Sequence, residues 1–311
     1  MKKPPPSEGV LAIVGPTAAG KTSLAIGLAK RFGGEVINAD SRQVYRGMDI
    51  GTAKPTADER THVRHWLLDV ADPDERFSLA QFLELAEHAI RDCWSRAALP
   101  ILAGGTGQYV WALLEGWQVP RLAPDRALRA ELEARVQRDG PETLLTELAE
   151  VDPEYAARVD RHNIRRVIRA LEVYRHTGRP LSAWQTRKAP DFSWAALGLT
   201  CPRADLYRRI DARVDAMIAG GLVDEVRALL ASGYGREVPA MSGIGYRQIC
   251  QHIAGELPLD EAIARMKTET HRLARMQHNW FRPTDDRIHW VDVRIGDPFS
   301  EALRVVESNL R

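Results

Sequence analysis

The sequence predicts an α/β fold: a P-loop NTPase-like, doubly wound parallel sheet carrying an inserted all-helical domain. Three observations predict it. Short apolar runs alternate with amphipathic helical periods, a glycine-containing loop joins the first run to the first helix, and from about Pro120 to Pro190 helical periodicity stands alone.

The elements follow in order. Val10 to Val14 reads as a buried strand, and the helix after the loop turns Leu24, Leu28 and Phe32 to one side before Gly33 and Gly34 stop it. Further strands are expected at Val36 to Ala39, Trp66 to Val70, Pro100 to Ala103, Ala195 to Cys201 and Ile288 to Val291, with helices such as "SLAQFLELAEHAIRDCWSRA" between them. "PDRALRAELEARVQRDG", "PETLLTELAEV" and "NIRRVIRALEVYRHTG" are the helices of the insertion. Residues 1–119 and 191–311 are therefore expected to form the core, and 120–190 the helical insertion. Two long amphipathic helices, "LYRRIDARVDAMIAGGLVDEVRALLASG" and "LDEAIARMKTETHRLARMQHNWFRP", are expected in the C-terminal part.

The chain has 311 residues, 44% hydrophobic and 27% charged, enough apolar material for one large or two modest cores. No secretory core or long uninterrupted apolar stretch occurs, so no membrane association is expected, and "MKKPPPSEG" reads as a loose tail. Cys93, Cys201 and Cys250 are too scattered for a metal-ligand spacing and suit a reducing, cytoplasmic setting. Net charge is only +1, but Arg161, Arg165, Arg166, Arg169, Arg175 and Arg179 face a single acid, Glu172, across one short stretch. That basic stripe is either a solvated face or a phosphate contact.

"GPTAAGKT", Gly15 to Thr22, matches GxxxxGK[ST] between a predicted strand and a predicted helix. Its amides, from Gly15, Pro16's successor Thr17, Ala18, Ala19 and Gly20, would cradle a di- or triphosphate, with Lys21 neutralising charge and the Thr22 hydroxyl holding Mg²⁺. Nucleoside triphosphatases and kinases also need an acid at a strand end. "LPILAGGTGQY" supplies none, whereas "WLLDV" offers Asp69, so a small-molecule kinase or ATP-binding NTPase stays open, as does an RNA-binding module switched by nucleotide.

"GPTAAGKT", "ADSRQVYRGMDIGTAKP", "LLDVADP", "GGTGQYVWALLEG", "RALEVY", "RRIDARVDAM" and "GIGYRQ" fall in the order and spacing of the tRNA dimethylallyltransferases. The chain resembles that family from about Val10 to Trp290. The "DSRQVYRGMDIGTAKP" block carries most of the specificity. No Cys-His pattern follows Trp290, so the bacterial organisation is expected. The resemblance implies transfer of a dimethylallyl group from dimethylallyl diphosphate to N6 of the adenosine 3′ of the anticodon in tRNA, with the loop gripping the diphosphate and Mg²⁺ as cofactor.

Breaking an allylic C–O bond leaves negative charge on the diphosphate, so fixed cations are needed around it. The resemblance assigns Lys21, Arg213 and Arg203 there. An exocyclic adenine amine attacks poorly without a base, and Asp40 corresponds to the family's general base, with Thr106 beside the acceptor. An adenine must leave its stack to be reached. By resemblance, Asp40, Ser41, Arg42 and Gln43 contact the RNA. So do the segment Ser242, Gly243, Ile244, Gly245, Tyr246 and Arg247, and, in the insertion, Arg129 with Arg165, Arg166, Val167, Ile168 and Arg169. A monomer is expected. The chain departs from the family's usual residues at Asn163, Arg165, Met276 and Asn279.

Overall fold

The computed structural model describes residues 9–295 and 297–309; the stretch read as a loose tail lies outside them, apart from Gly9. In chain order the elements are β1 (Gly9–Val14), α1 (Lys21–Phe32), β2 (Glu35–Asn38), α2 (Ala57–His62), β3 (His65–Trp66), α3 (Leu79–Ser95), β4 (Pro100–Ala103) and α4 (Gly107–Leu114). Then come α5 (Arg126–Asp139), α6 (Glu142–Val151), α7 (Pro153–Ala156), α8 (Ile164–Thr177) and α9 (Leu181–Trp184). The chain ends with β5 (Ser193–Thr200), α10 (Arg203–Ala219), α11 (Leu222–Ala231), α12 (Tyr246–Ile253), α13 (Leu259–Trp280), β6 (Ile288–Asp292) and α14 (Pro298–Asn309).

The six strands form one sheet in the order β3-β2-β4-β1-β5-β6, every pair parallel. β1 lies inside it, Leu11 opposite Ile101 on one side and Ala195 on the other. Both faces of β1 are covered, so all six of its residues are buried. Leu11, Ile13, Ile101 and Leu197 pack with Leu24 and Leu28 of α1 and with Val305 of α14, while Ala12, Ile37 and Leu102, of the opposite parity, are equally buried. α3 opens on a capping box, Ser78 with Gln81, and its Phe82 stacks on Tyr109 of α4 at 4.1 Å.

Compact packing divides the chain into two units, Met1–Leu114 with Pro190–Arg311, and Glu115–Ala189. The second unit starts a few residues before the expected boundary because its entry and exit pair. Trp117 bridges Arg187 in antiparallel fashion, Gln118 N donates to Thr186 O and Lys188 N to Gly116 O, each at 2.9 Å. Its helices close on a core of Leu132, Leu144, Leu148, Val167 and Leu171.

Two expectations are corrected. The strand expected over Trp66 to Val70 is only His65–Trp66, because Leu67 (φ 59°) and Asp69 (φ 57°) are left-handed and cannot continue a ladder. The first long C-terminal helix is two helices, α10 and α11, parted at Gly220 and Gly221, the latter at φ 96°.

Candidate active site

Three strands of the first unit deliver the predicted residues from their carboxyl ends, where open parallel sheets present ligand-binding groups. β1 runs into the loop Gly15–Gly20, β2 into Asp40, and β4 into the turn Gly104–Thr106. The last two are locked together: Thr106 N donates to Ala39 O at 3.1 Å, and Ser41 N donates to the Thr106 hydroxyl at 3.0 Å. Gly104 makes this possible, since a Cβ there would stand 2.1 Å from Ala39 O. Asp40 is oriented in turn, its Oδ1 accepting from Arg42 N at 2.8 Å and its own N–H donating to Asn38 Oδ1 at 3.1 Å.

A cavity of about 690 Å³ opens here, lined by Thr17, Asp40, Thr106, Arg213, Arg247 and Trp280 among others. α13 runs along it. Met266, Glu269, Leu273, Gln277 and Trp280 share one helical stripe in its wall. Gln277 Oε1 accepts from Thr17 N at 2.8 Å and its Nε2 donates to Gly105 O at 3.1 Å, tying the phosphate-loop candidate to the Thr106 turn. Met266, three turns earlier and about 16 Å away along the helix, lies against Gly245, and Glu269 pairs with Arg247. The stripe therefore gives the cavity a direction, from the loop to the Ser242–Arg247 segment.

The electrostatics join the loop to the acid. Lys21 Nζ donates to Pro16 O at 2.8 Å. Burial lowers the Lys21 ammonium to about 8; Asp40 pulls it up and Arg213 pushes it further down. Desolvation likewise lowers Arg213, against the raising effect of Asp40. Asp40 thus feels two cations at once, one from α1 and one from α10.

Other expected residues are placed differently. Arg203 is turned to Tyr207, its Nε donating to the hydroxyl at 2.9 Å, and Tyr207, like Ala18 of the loop, packs against the cluster of Leu206, Ile210 and Ala274. Gln43 faces its own loop, donating to Thr52 O and Ala53 O, and Tyr246 is buried with its hydroxyl on Glu225 at 2.6 Å. In the second unit Val167 and Ile168 turn into the core, which corrects their assignment to an RNA-facing surface. Arg129 and Arg169 both donate to the buried Glu172, at 2.7 and 2.6 Å, while Arg165 and Arg166 are exposed. Burial raises the Glu172 carboxyl, but the hydrogen bonds from Arg129 and Arg169 outweigh it and hold the group at about 2. Sequence reasoning missed Gln277 and Glu225. Their signal was a polar residue with apolar neighbours at helical spacing.

A parallel α/β sheet whose first loop, acid and hydroxyl meet in one cavity has the layout of an enzyme active site. The chain belongs to the IPP transferase family, whose model matches residues 43–284, and an isopentenyl transferase model matches residues 8–77. It is 55% identical to a tRNA dimethylallyltransferase of Roseiflexus sp. (strain RS-1), covering 88% of this chain and 90% of that one. It is 51% identical to another from Thermomicrobium roseum, covering 97% and 92%. Among solved structures, a tRNA isopentenylpyrophosphate transferase from Bacillus halodurans is 41% identical, with a TM-score of 0.69 over 96% of this chain and 95% of that one. A eukaryotic dimethylallyltransferase acting on tRNA is 29% identical, with a TM-score of 0.83 over 96% and 78%.

Proposed function

We propose that this protein is a tRNA dimethylallyltransferase. It transfers the dimethylallyl group of dimethylallyl diphosphate to N6 of the adenosine 3′ of the anticodon (position 37), forming N6-(dimethylallyl)adenosine and releasing diphosphate. One observation carries the reading: the carboxylate of Asp40 shares electrostatic reach with Lys21 and Arg213 while its neighbour Ser41 is bonded to Thr106. Base, acceptor hydroxyl and one leaving-group cation, Arg213, thus line one cavity, with Lys21 within electrostatic reach of both Asp40 and Arg213.

Each residue then has a definite task. The loop amides, Lys21 and Arg213 take up the charge that grows on the diphosphate as the allylic bond breaks. Asp40 accepts the N6 proton as the new C–N bond forms. The Thr106 oxygen already accepts from Ser41 N, so its own proton is left to donate to the adenine edge. Mg²⁺ fits the same donor set. It keeps several waters and leans on substrate phosphates, so a lone hydroxyl such as Thr22, half-exposed in the first turn of α1, is enough from the protein. When bound there it would neutralise charge on the leaving diphosphate. No helix among the described residues is long and apolar enough to cross a membrane. Monomeric action on the anticodon stem-loop in the cytoplasm completes the reading, with the exposed Arg165 and Arg166 contributing phosphate contacts.

The test incubates protein, Mg²⁺, labelled dimethylallyl diphosphate and unmodified tRNA at pH 7, followed by mass spectrometry of the digested RNA. Wild type should yield the prenylated nucleoside. Asp40→Ala should bind diphosphate nearly as well and transfer nothing. A phosphorylated product, or transfer by Asp40→Ala at the wild-type rate, would overturn the assignment.

A further inference from the structure

The carboxylate of Glu225, on α11, is filled from four donors. Oε2 accepts from the backbone N–H of Asp49 at 2.9 Å and of Ile50 at 2.7 Å; Oε1 accepts from Gly51 N at 3.2 Å and from the Tyr246 hydroxyl at 2.6 Å. Three successive amides converging on one anion form a nest, here occupied by the protein's own side chain. The bonds are charge-assisted, the stronger kind. Tyr246 presses its ring on Gly51, where a Cβ would lie 2.5 Å from the ring.

The same segment is held from its other end. Gln43 Nε2 donates to Thr52 O and Ala53 O, both at 3.1 Å, and Lys54 Nζ reaches Asp49 Oδ1 at 2.7 Å. Residues 49–53 belong to no helix or strand; besides the backbone bonds of Ala53 N to Ile50 O and Lys54 N to Asp49 O, it is these side chains that hold their shape. Gly51, Thr52 and Ala53 line the cavity. They do so beside Tyr246, next to Gly245 and Met266, at the end of the α13 stripe far from the Gln277 contact with Thr17.

We propose that Glu225 is a positioning residue for the RNA acceptor, holding residues 49–53 as the wall against which the acceptor base is received. The role rests on the RNA-acceptor reading given above. Glu225 touches neither the phosphate loop nor Asp40, so its effect is confined to the acceptor side. A wall left loose must be ordered by the incoming RNA, which weakens RNA binding and leaves the donor and the chemical step alone.

The experiment measures amide hydrogen exchange at residues 49–51, KM for tRNA, KM for dimethylallyl diphosphate and kcat in Glu225→Ala and Glu225→Gln. In Glu225→Ala, exchange should rise and KM for tRNA should increase about tenfold, with kcat and donor KM within about twofold of wild type. Glu225→Gln keeps an acceptor oxygen without the charge and should fall between, and it carries the test if the alanine variant does not fold. Faster exchange with an unchanged KM for tRNA overturns the proposal. So does unchanged exchange, or an equal loss in donor KM or kcat. A wild type that transfers nothing to tRNA brings down the acceptor reading and this role with it; amide exchange, which needs no RNA, tells that apart from failure of the clamp.

Discussion

Gly104→Ala tests whether the contact between β2 and β4 sets the reacting geometry. The new Cβ would stand 2.1, 2.3 and 2.7 Å from Ala39 O, C and Cα. An ordinary carbon–oxygen contact is about 3.3 Å, so the two backbones must part by about 1 Å. Every clashing atom is backbone, and no rotamer relieves it. The bonds that lengthen are Thr106 N to Ala39 O and Ala39 N to Ala103 O, now 3.1 and 2.9 Å. Asp40 follows Ala39 and Thr106 follows Gly105, so the proposed base and the acceptor hydroxyl move apart. A displacement of that size costs about 10²-fold in rate. Overpacking costs about 1–3 kcal/mol in stability. For a unit of this size each kcal/mol lowers Tm by about 2–4 °C. The assay is single-turnover transfer to tRNA beside thermal unfolding. Gly255→Ala is the control: it has φ +74° but meets nothing within 4 Å, so it should lose about 1 kcal/mol of stability and no transfer rate. A Gly104→Ala protein that transfers within about threefold of wild type would refute the claim that this contact fixes the reacting groups.

Lys21, lowered by burial to about 8, gives a signed pH dependence. A bound diphosphate raises it again, so donor affinity should fall about tenfold per pH unit above 8, with proton uptake seen by calorimetry in two buffers; no uptake refutes the coupling. In the free protein the sign is opposite, because the folded pKa is below the unfolded 10.5: the cost of burying the cation is full below about 8 and fades as pH rises towards 10.5. Glu172→Ala should destabilise the second unit by about 3–5 kcal/mol in urea melts, since Arg129, Arg169 and the Asp125 amide lose their shared acceptor; less than about 1 kcal/mol refutes the clamp. With its folded pKa at about 2 against 4.5 unfolded, the Glu172 contribution is full above 4.5 and lost as pH falls towards 2.

Strands such as Pro100–Ala103 were legible because burial on both faces leaves an unbroken apolar run bounded by turn residues. Asp40 and Thr106 were legible because each ends such a run. Trp66 to Val70 looked the same, yet two left-handed residues end the ladder after Trp66, a feature that apolar patterning does not encode. Glu225 and Gln277 act across 174 and 260 residues of chain, beyond any local motif. Each nevertheless has apolar neighbours at helical spacing, Glu225 beside Leu222, Val226 and Leu229, Gln277 beside Leu273, Ala274 and Phe281. A polar residue in a core position needs a partner, and that rule would have singled out both. The arginines of α8 misled in the opposite sense. Glu172, the one acid among them, turned inward and neutralises two guanidiniums, so only part of the apparent basic stripe is open to phosphate.

The kinase alternative depended on Asp69, and the structure gives that carboxylate other work. Lys54 Nζ donates to its Oδ1 at 2.6 Å and Arg60 to its Oδ2 at 2.7 Å. Burial raises the group, but those two hydrogen bonds more than compensate and hold it below the usual carboxylate range. Lys54, almost fully buried, would lose one of its two anions and keep only the more exposed Asp49 if Asp69 turned towards a nucleotide. Of the acids that line the cavity, Glu269 is paired with Arg247, which leaves Asp40. Phosphoryl transfer asks for two separate functions, an acid to organise the metal and a base for the acceptor. A single carboxylate facing Lys21 and Arg213 suits a reaction in which the phosphates only depart and one proton must be taken. Prenyl transfer to an amine has that demand, and a measurable γ-phosphoryl transfer from ATP that survives Asp69→Asn would show the reasoning to be wrong.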